Sequence, residues 1–228
     1  MSEVTLYLKK MTLVAISGMI ASFSIRVFGT VFPQILENIL IVKATILINA
    51  VFILTHLLFW LVFFSEYISV RQATLKKTCL LAIIGSFFVS VIYIKKIPFV
   101  FGMSTHFPLF LMNPYFDALV PILSSAFHLG FFITFKKSLK LDEKPRLIKP
   151  ILSIILGTSI FIFLHCIVLF NFLATGRFEW LEHMPRVVAV STVPLIIAAV
   201  SSILYFYYKF YCFLDSSPTI ETENGRSS

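Results

Sequence analysis

Three of the five histidines, His56, His128 and His165, fall inside long apolar stretches. An ionisable side chain is costly there and is often retained for function. A neutral imidazole donates one hydrogen bond and accepts another, so each histidine can also be a packing residue with both nitrogens satisfied. Counted from the middle of their own stretches, His56 and His128 both sit about two residues toward the same side. At ~1.5 Å per helical residue they share a depth of roughly 3 Å from the midplane, and His165 lies ~8 Å away along the normal. Two facing imidazoles at one level can be the axial ligands of a haem. They can also hold a transition metal or relay a proton. His56 and His128 are therefore the metal candidates and haem the candidate cofactor, although no CxxCH attachment sequence is present.

Other polar residues recur at helical spacing around these histidines. Thr45, Asn49 and His56 are separated by four and seven, and Asp117, Ser124 and His128 by seven and four. Thr158 and His165 are seven apart, and Ser86, Ser90 and Tyr93 share a face, as do Ser191, Ala198, Ser202 and Tyr205. Ala15, Gly18, Ser22 and Gly29 form a small-residue stripe that carries Arg26. Such spacings place residues on one side of a helix. The expected ligand-binding interior is Arg26, Asn49, His56, Asp117, Ser124, His128, Thr158 and His165, with Phe, Leu and Ile facing outward. Small and hydroxyl residues also serve simple helix packing in lipid. Arg26 has Asp117 and Glu37 as possible ion-pair partners, and as a single charge it would attract anions to the mouth of a cavity.

Catalytic signatures are missing. There is no G-x-S-x-G elbow, no Walker A loop and no pair of carboxylates within the apolar stretches. Glu179, Trp180, Glu182, His183 and Arg186 make an E-x-x-E-H run, which lacks the histidine order of zinc proteases. With His106 it could form a surface metal site, but a solvated segment with a Trp anchor explains it more simply. The three cysteines, Cys79, Cys166 and Cys212, form no CxxC and read as structural thiols. The enzyme question stays open on these residues, leaning to no.

The elements that must position these groups follow from composition. Hydrophobic residues make up 58% of the chain and charged residues 13%, about half the charged share of a soluble globule. Six apolar runs approach the ~20 residues needed to span a bilayer: 11–32, 44–64, 79–94, 118–135, 151–173 and 190–213. In lipid each must be a helix, because its backbone amides find partners only within the segment. The first run continues past Arg26 without an A-x-A site, so it reads as a retained helix rather than a signal peptide. The reading is an all-α, polytopic membrane bundle of six transmembrane helices over residues 1–214, followed by a disordered polar tail over 215–228.

With both termini inside, the inner segments hold thirteen basic residues: Lys9, Lys10, Arg71, Lys76, Lys77, six between Lys136 and Lys149, Lys209 and Arg226. The outer side holds six: Arg26, Lys43, Lys95, Lys96, Arg177 and Arg186. That bias predicts cytoplasmic N- and C-termini in a plasma membrane. It also accounts for the net charge of +8 without nucleic acid as a partner. Residues 30–43 read as an interfacial amphipathic stretch. Residues 99–115, interrupted by Gly102, Pro108 and Pro114, read as a re-entrant or interfacial outer segment, whose spanning would make the count seven.

Three function classes fit. One is a bundle that binds a small solute or ion, as a small transporter, channel or substrate-binding subunit. The second is a haem or metal redox subunit using His56 and His128. The third is an interaction module (sensor, assembly factor or anchor subunit) that docks a protein or anionic lipid on the basic cytoplasmic loop 136–149.

Overall fold

The computed structural model describes residues 3–31, 38–69, 71–103, 113–176 and 186–216, with side chains for 6–25, 38–69, 71–103, 113–176 and 190–215. All regular structure among them is helical: α1 (Glu3–Val31), α2 (Ile39–Phe63), α3 (Ala73–Ile94), α4 (Ile97–Val100), α5 (Pro114–Ser138), α6 (Lys144–Thr175) and α7 (Arg186–Ser216). A π-helical turn, Phe64–Ile68, continues α2. Every helix except the single turn α4 contains a stretch long and apolar enough to cross a membrane.

Local chemistry sets several ends. Asn38 caps α2 by accepting the Leu40 N–H at 2.9 Å, and Asn113 caps α5 by accepting that of Tyr115 at 2.9 Å. Each uses a short side-chain oxygen to satisfy an amide that the first turn leaves orphaned. Pro114 follows at the first helical position of α5, where a missing N–H costs nothing. Gly176 ends α6 at φ 69°, with its N–H on the Phe172 carbonyl at 2.8 Å, a left-handed cap that glycine adopts without strain.

The helices run beyond the apolar stretches into their charged flanks. Ile39–Lys43 forms the opening turn of α2 rather than an interfacial segment, and residues 32–37 lie outside the described part. The basic stretch from Lys136 to Lys149 is mostly helix, since α5 runs to Ser138 and α6 starts at Lys144. Helix hydrogen bonding persists where the chain leaves an apolar environment, and long Lys and Arg stems can carry their charges to water. Of the outer segment, Ile97–Val100 is a helical turn and residues 104–112 lie outside the described part. Asp215, expected in the tail, lies in α7, and residues 217–228 are outside the described part.

The six long helices alternate in direction and form a ring in chain order: α1 packs on α2, α2 on α3, α3 on α5, α5 on α6 and α6 on α7, and α7 closes on α1. Lys9 of α1 pairs with Asp215 of α7, so the start of α1 and the end of α7 lie at one end of the ring, called here the termini end. Glycine permits the closest approaches. A Cβ on Gly85 would stand 2.9 Å from the Ser124 Cα, and one on Gly157 would stand 2.7 Å from the Ala199 carbonyl oxygen. These seams, α3–α5 and α6–α7, are also the two most extensive. The outward faces carry large apolar side chains, among them Val51, Leu58, Phe87, Leu123, Leu156 and Phe170.

The interior departs from the sequence reading in two respects. Phe59, Phe131, Phe132, Phe135, Phe206 and Phe210 are buried in the bundle instead of facing outward. The face of α7 is also displaced by one position. Ser191, Ala198 and Tyr205 are exposed, whereas Thr192, Ala199, Phe206, Tyr207 and Phe210 are buried. Polarity alone misplaces these residues because lipid is as apolar as a phenyl ring, so ring packing decides which aromatics turn inward.

Candidate functional site

The centre of the ring holds a part-open cavity of about 260 Å³ to which all six long helices contribute. Its walls are mainly apolar, with Met19 and Phe23 from α1, Phe52 and Ile53 from α2, Val89 and Ile92 from α3, and Ile154, Phe161, Leu164 and Val168 from α6. Ile196, Val200 and Ile203 complete the wall on α7. The polar groups are Ser22, His56, Trp60, Ser86, Tyr93, Ser124, Ser125, His128, Thr158, His165 and Tyr207. Pro121 of α5 also lines it; its ring denies the Asp117 carbonyl the usual helical partner four residues on.

The structure therefore brings His56, Ser124, His128, Thr158 and His165 to one cavity. Asn49 lies just outside it. Its side-chain oxygen accepts from the Ser22 hydroxyl and its nitrogen donates to the Thr45 carbonyl at 2.9 Å, which ties α1 to α2. Asp117 is not on the cavity wall and forms an ion pair with Lys95. The Arg26 side chain, Glu37, His106 and residues 179–183 lie outside the described part, as does the side chain of Arg186.

The two level histidines face each other with ring centres 6.0 Å apart and planes inclined by 31°. The His56 Nε2 accepts the Trp60 indole N–H at 3.0 Å. Indole can only donate, so this Nε2 carries no proton and the His56 hydrogen sits on Nδ1. That Nδ1 lies 3.4 Å from the Tyr207 hydroxyl oxygen. The His128 Nδ1–H donates to the Ser124 carbonyl at 2.6 Å, which leaves its Nε2 to accept from the Ser86 hydroxyl at 3.1 Å. With these bonds in place, neither histidine directs a free lone pair at a metal shared between them. His165 bonds its own helix in the same way, Nδ1–H to the Phe161 carbonyl at 2.7 Å.

Below the histidines, toward the termini end, the bundle is filled by interlocked rings. Trp60 stands edge-on to His128 at 4.8 Å and to Phe131 at 5.1 Å between ring centres. Phe59 meets Tyr207, and Phe132 meets Phe206, both edge-on at 5.1 Å. Phe63 meets Phe210 edge-on at 5.4 Å. Offset and edge-on contacts are the geometries that the charge distribution of aromatic rings favours.

Beyond these rings, Glu143 joins three parts of the chain. It accepts from Arg71 through both carboxylate oxygens. It also accepts from the Tyr67 hydroxyl at 2.8 Å and from the Lys140 N–H at 3.0 Å. The Arg71 guanidinium lies over the Tyr67 ring at 4.5 Å. Burial alone would raise the Glu143 carboxyl, but the bonds from Arg71, Lys140 and Tyr67 outweigh it and hold it below its ordinary value. Arg71 is likewise moved up, burial opposing and Glu143 prevailing.

No protein-family model, curated protein or solved structure matches this chain. The chemistry of the cavity has to be read from its own residues. Trp60, Ser125 and Tyr207 are the polar lining residues that spacing did not single out, and Glu143, outside the cavity, was not singled out either. Trp60 follows His56 by four residues, one helical turn, and Tyr207 sits between Phe206 and Phe210. Those intervals were the available signal.

Proposed function

We propose that this chain is an integral membrane protein that binds a small solute at the centre of its six-helix ring, as a small transporter, channel or substrate-binding subunit. The observation that carries the reading is the cavity of about 260 Å³ to which every long helix contributes. A bundle selected only for packing would close such a space. Its volume is just below the ~300–1,000 Å³ typical of sites for drug-sized ligands, which suits a smaller molecule. Its lining also matches such sites, being apolar with a few placed polar groups. The apolar outer faces suit a lipid bilayer, and the basic-residue bias supports an orientation with both termini cytoplasmic.

Native purification followed by mass spectrometry of released small molecules tests the reading. Wild-type protein is expected to release a stoichiometric small molecule that is missing from Ser125→Phe, which fills the cavity from a lining position. Equal release from both proteins, or release from neither, overturns it.

A further inference from the structure

The hydrogen-bond arithmetic at the base of the cavity limits what can occupy it. Trp60 fixes the His56 proton on Nδ1, so the contact between His56 and Tyr207 brings together two donors, an imidazole N–H and a phenol O–H. Only the Tyr207 oxygen can accept between them, and at 3.4 Å it does so weakly. If that bond forms, the Tyr207 proton still needs an acceptor; if it does not, both donors do. Tyr207 is 1% exposed and lines the cavity, so an occupant of the cavity is best placed to supply one. A buried donor left unpaired costs more than a hydrogen bond is ordinarily worth. The rest of the surroundings are neutral. No described lining residue carries a fixed charge; the His128 ring is satisfied by Ser86 and the Ser124 carbonyl, and the His56 Nε2 by Trp60. An ion entering this space would leave water without a counter-charge to meet it.

We infer that the cavity takes a small, uncharged, largely apolar molecule bearing a hydrogen-bond acceptor, a carbonyl oxygen or its equivalent, which receives the Tyr207 O–H and the His56 Nδ1–H. The inference rests on the cavity being a binding site, as proposed above. The acceptor sits at the base against Tyr207 and His56, and the apolar remainder lies along the Phe161, Ile196 and Val200 side.

Full-length protein in nanodiscs, carrying Trp180→Phe so that Trp60 is the sole indole, provides the test. The probes are cyclohexanone, methylenecyclohexane, cyclohexylammonium and cyclohexanecarboxylate, which share one ring size. Cyclohexanone is expected to give a saturable change in Trp60 emission and to bind about tenfold more tightly than methylenecyclohexane. That preference is expected to shrink in Tyr207→Phe, which keeps the ring and removes the hydroxyl, leaving the His56 Nδ1–H as the single donor. Tenfold corresponds to about 1.4 kcal/mol, within the range of a single neutral hydrogen bond. An infrared measurement needs no variant: the carbonyl stretch of the bound ketone is expected below its frequency in hydrocarbon solvent. Tighter saturation by the ammonium or the carboxylate overturns the ligand class while leaving the cavity as a binding site. Equal binding of ketone and alkene, with an unshifted carbonyl stretch, overturns the role of the acceptor. If none of the four changes Trp60 emission, the binding-site reading itself fails.

Discussion

Glu143 shows how much one side chain can depend on its surroundings. It is 6% exposed, and its four protein hydrogen bonds tie the turn after α2 to the α5–α6 connection. Replacing it by Gln leaves the half-buried Arg71 without its counter-charge, so Glu143→Gln is expected to destabilise the fold by about 1–3 kcal/mol, seen as a lower thermal midpoint in detergent. The pH dependence has a defined sign. The folded carboxyl titrates below its unfolded value of ~4.3, so between the two the unfolded chain binds more protons and stability rises with pH. The contribution is complete above the unfolded value and disappears as pH falls through the folded one. Thermal melts from pH 3 to 6 should show that loss in wild type and lack the Glu143 component in Glu143→Gln. The sequence hid this residue because two adjacent acids, Asp142 and Glu143, among basic neighbours resemble a solvated loop. The histidines were easier to read, since a titratable group deep in an apolar stretch is conspicuous by its cost.

Among the helices, glycine placement makes a contrast that mutation can probe. Gly85 and Gly157 each face backbone at under 3.0 Å from an added Cβ, whereas nothing lies within 4 Å of one at Gly130. Gly85→Val and Gly157→Val are therefore each expected to cost about 1–3 kcal/mol through overpacking. Gly130→Val should stay within about 0.5 kcal/mol. Chemical denaturation of the three variants side by side separates the outcomes. The existence of six helices long and apolar enough to span a membrane was legible because twenty-residue apolar stretches with few charges favour a helix that pairs its own backbone. Their lengths were not, because helices continue into charged flanks that hydropathy discounts. The register of α7 was not legible either. Its small and polar residues at 191, 198, 202 and 205 competed with Phe206, Tyr207 and Phe210 for the inward face, and the aromatic contacts prevailed.

At the scale of the whole bundle, the described helices form a closed ring with the Lys9–Asp215 pair at one end and the Lys95–Asp117 pair at the other. The proposed orientation makes opposite predictions for the two ends. In a background with Cys79, Cys166 and Cys212 replaced, Met103→Cys should react with a membrane-impermeant thiol reagent on intact cells. Leu141→Cys, at a position 88% exposed on the termini end, should react only after permeabilisation. Reversed labelling would place the termini outside. The aromatic rings beneath the cavity have a consequence for time as well as for space. They come from three helices and fill one another's gaps, so turning any single ring meets its neighbours before it opens a path. Opening toward the termini end thus requires α2, α5 and α7 to shift together. Collective helix motions of that kind take microseconds to milliseconds, against picoseconds to nanoseconds for a free side-chain flip. A solute bound at Tyr207 would have its release in that direction timed by the rings below it, whatever its affinity for the cavity.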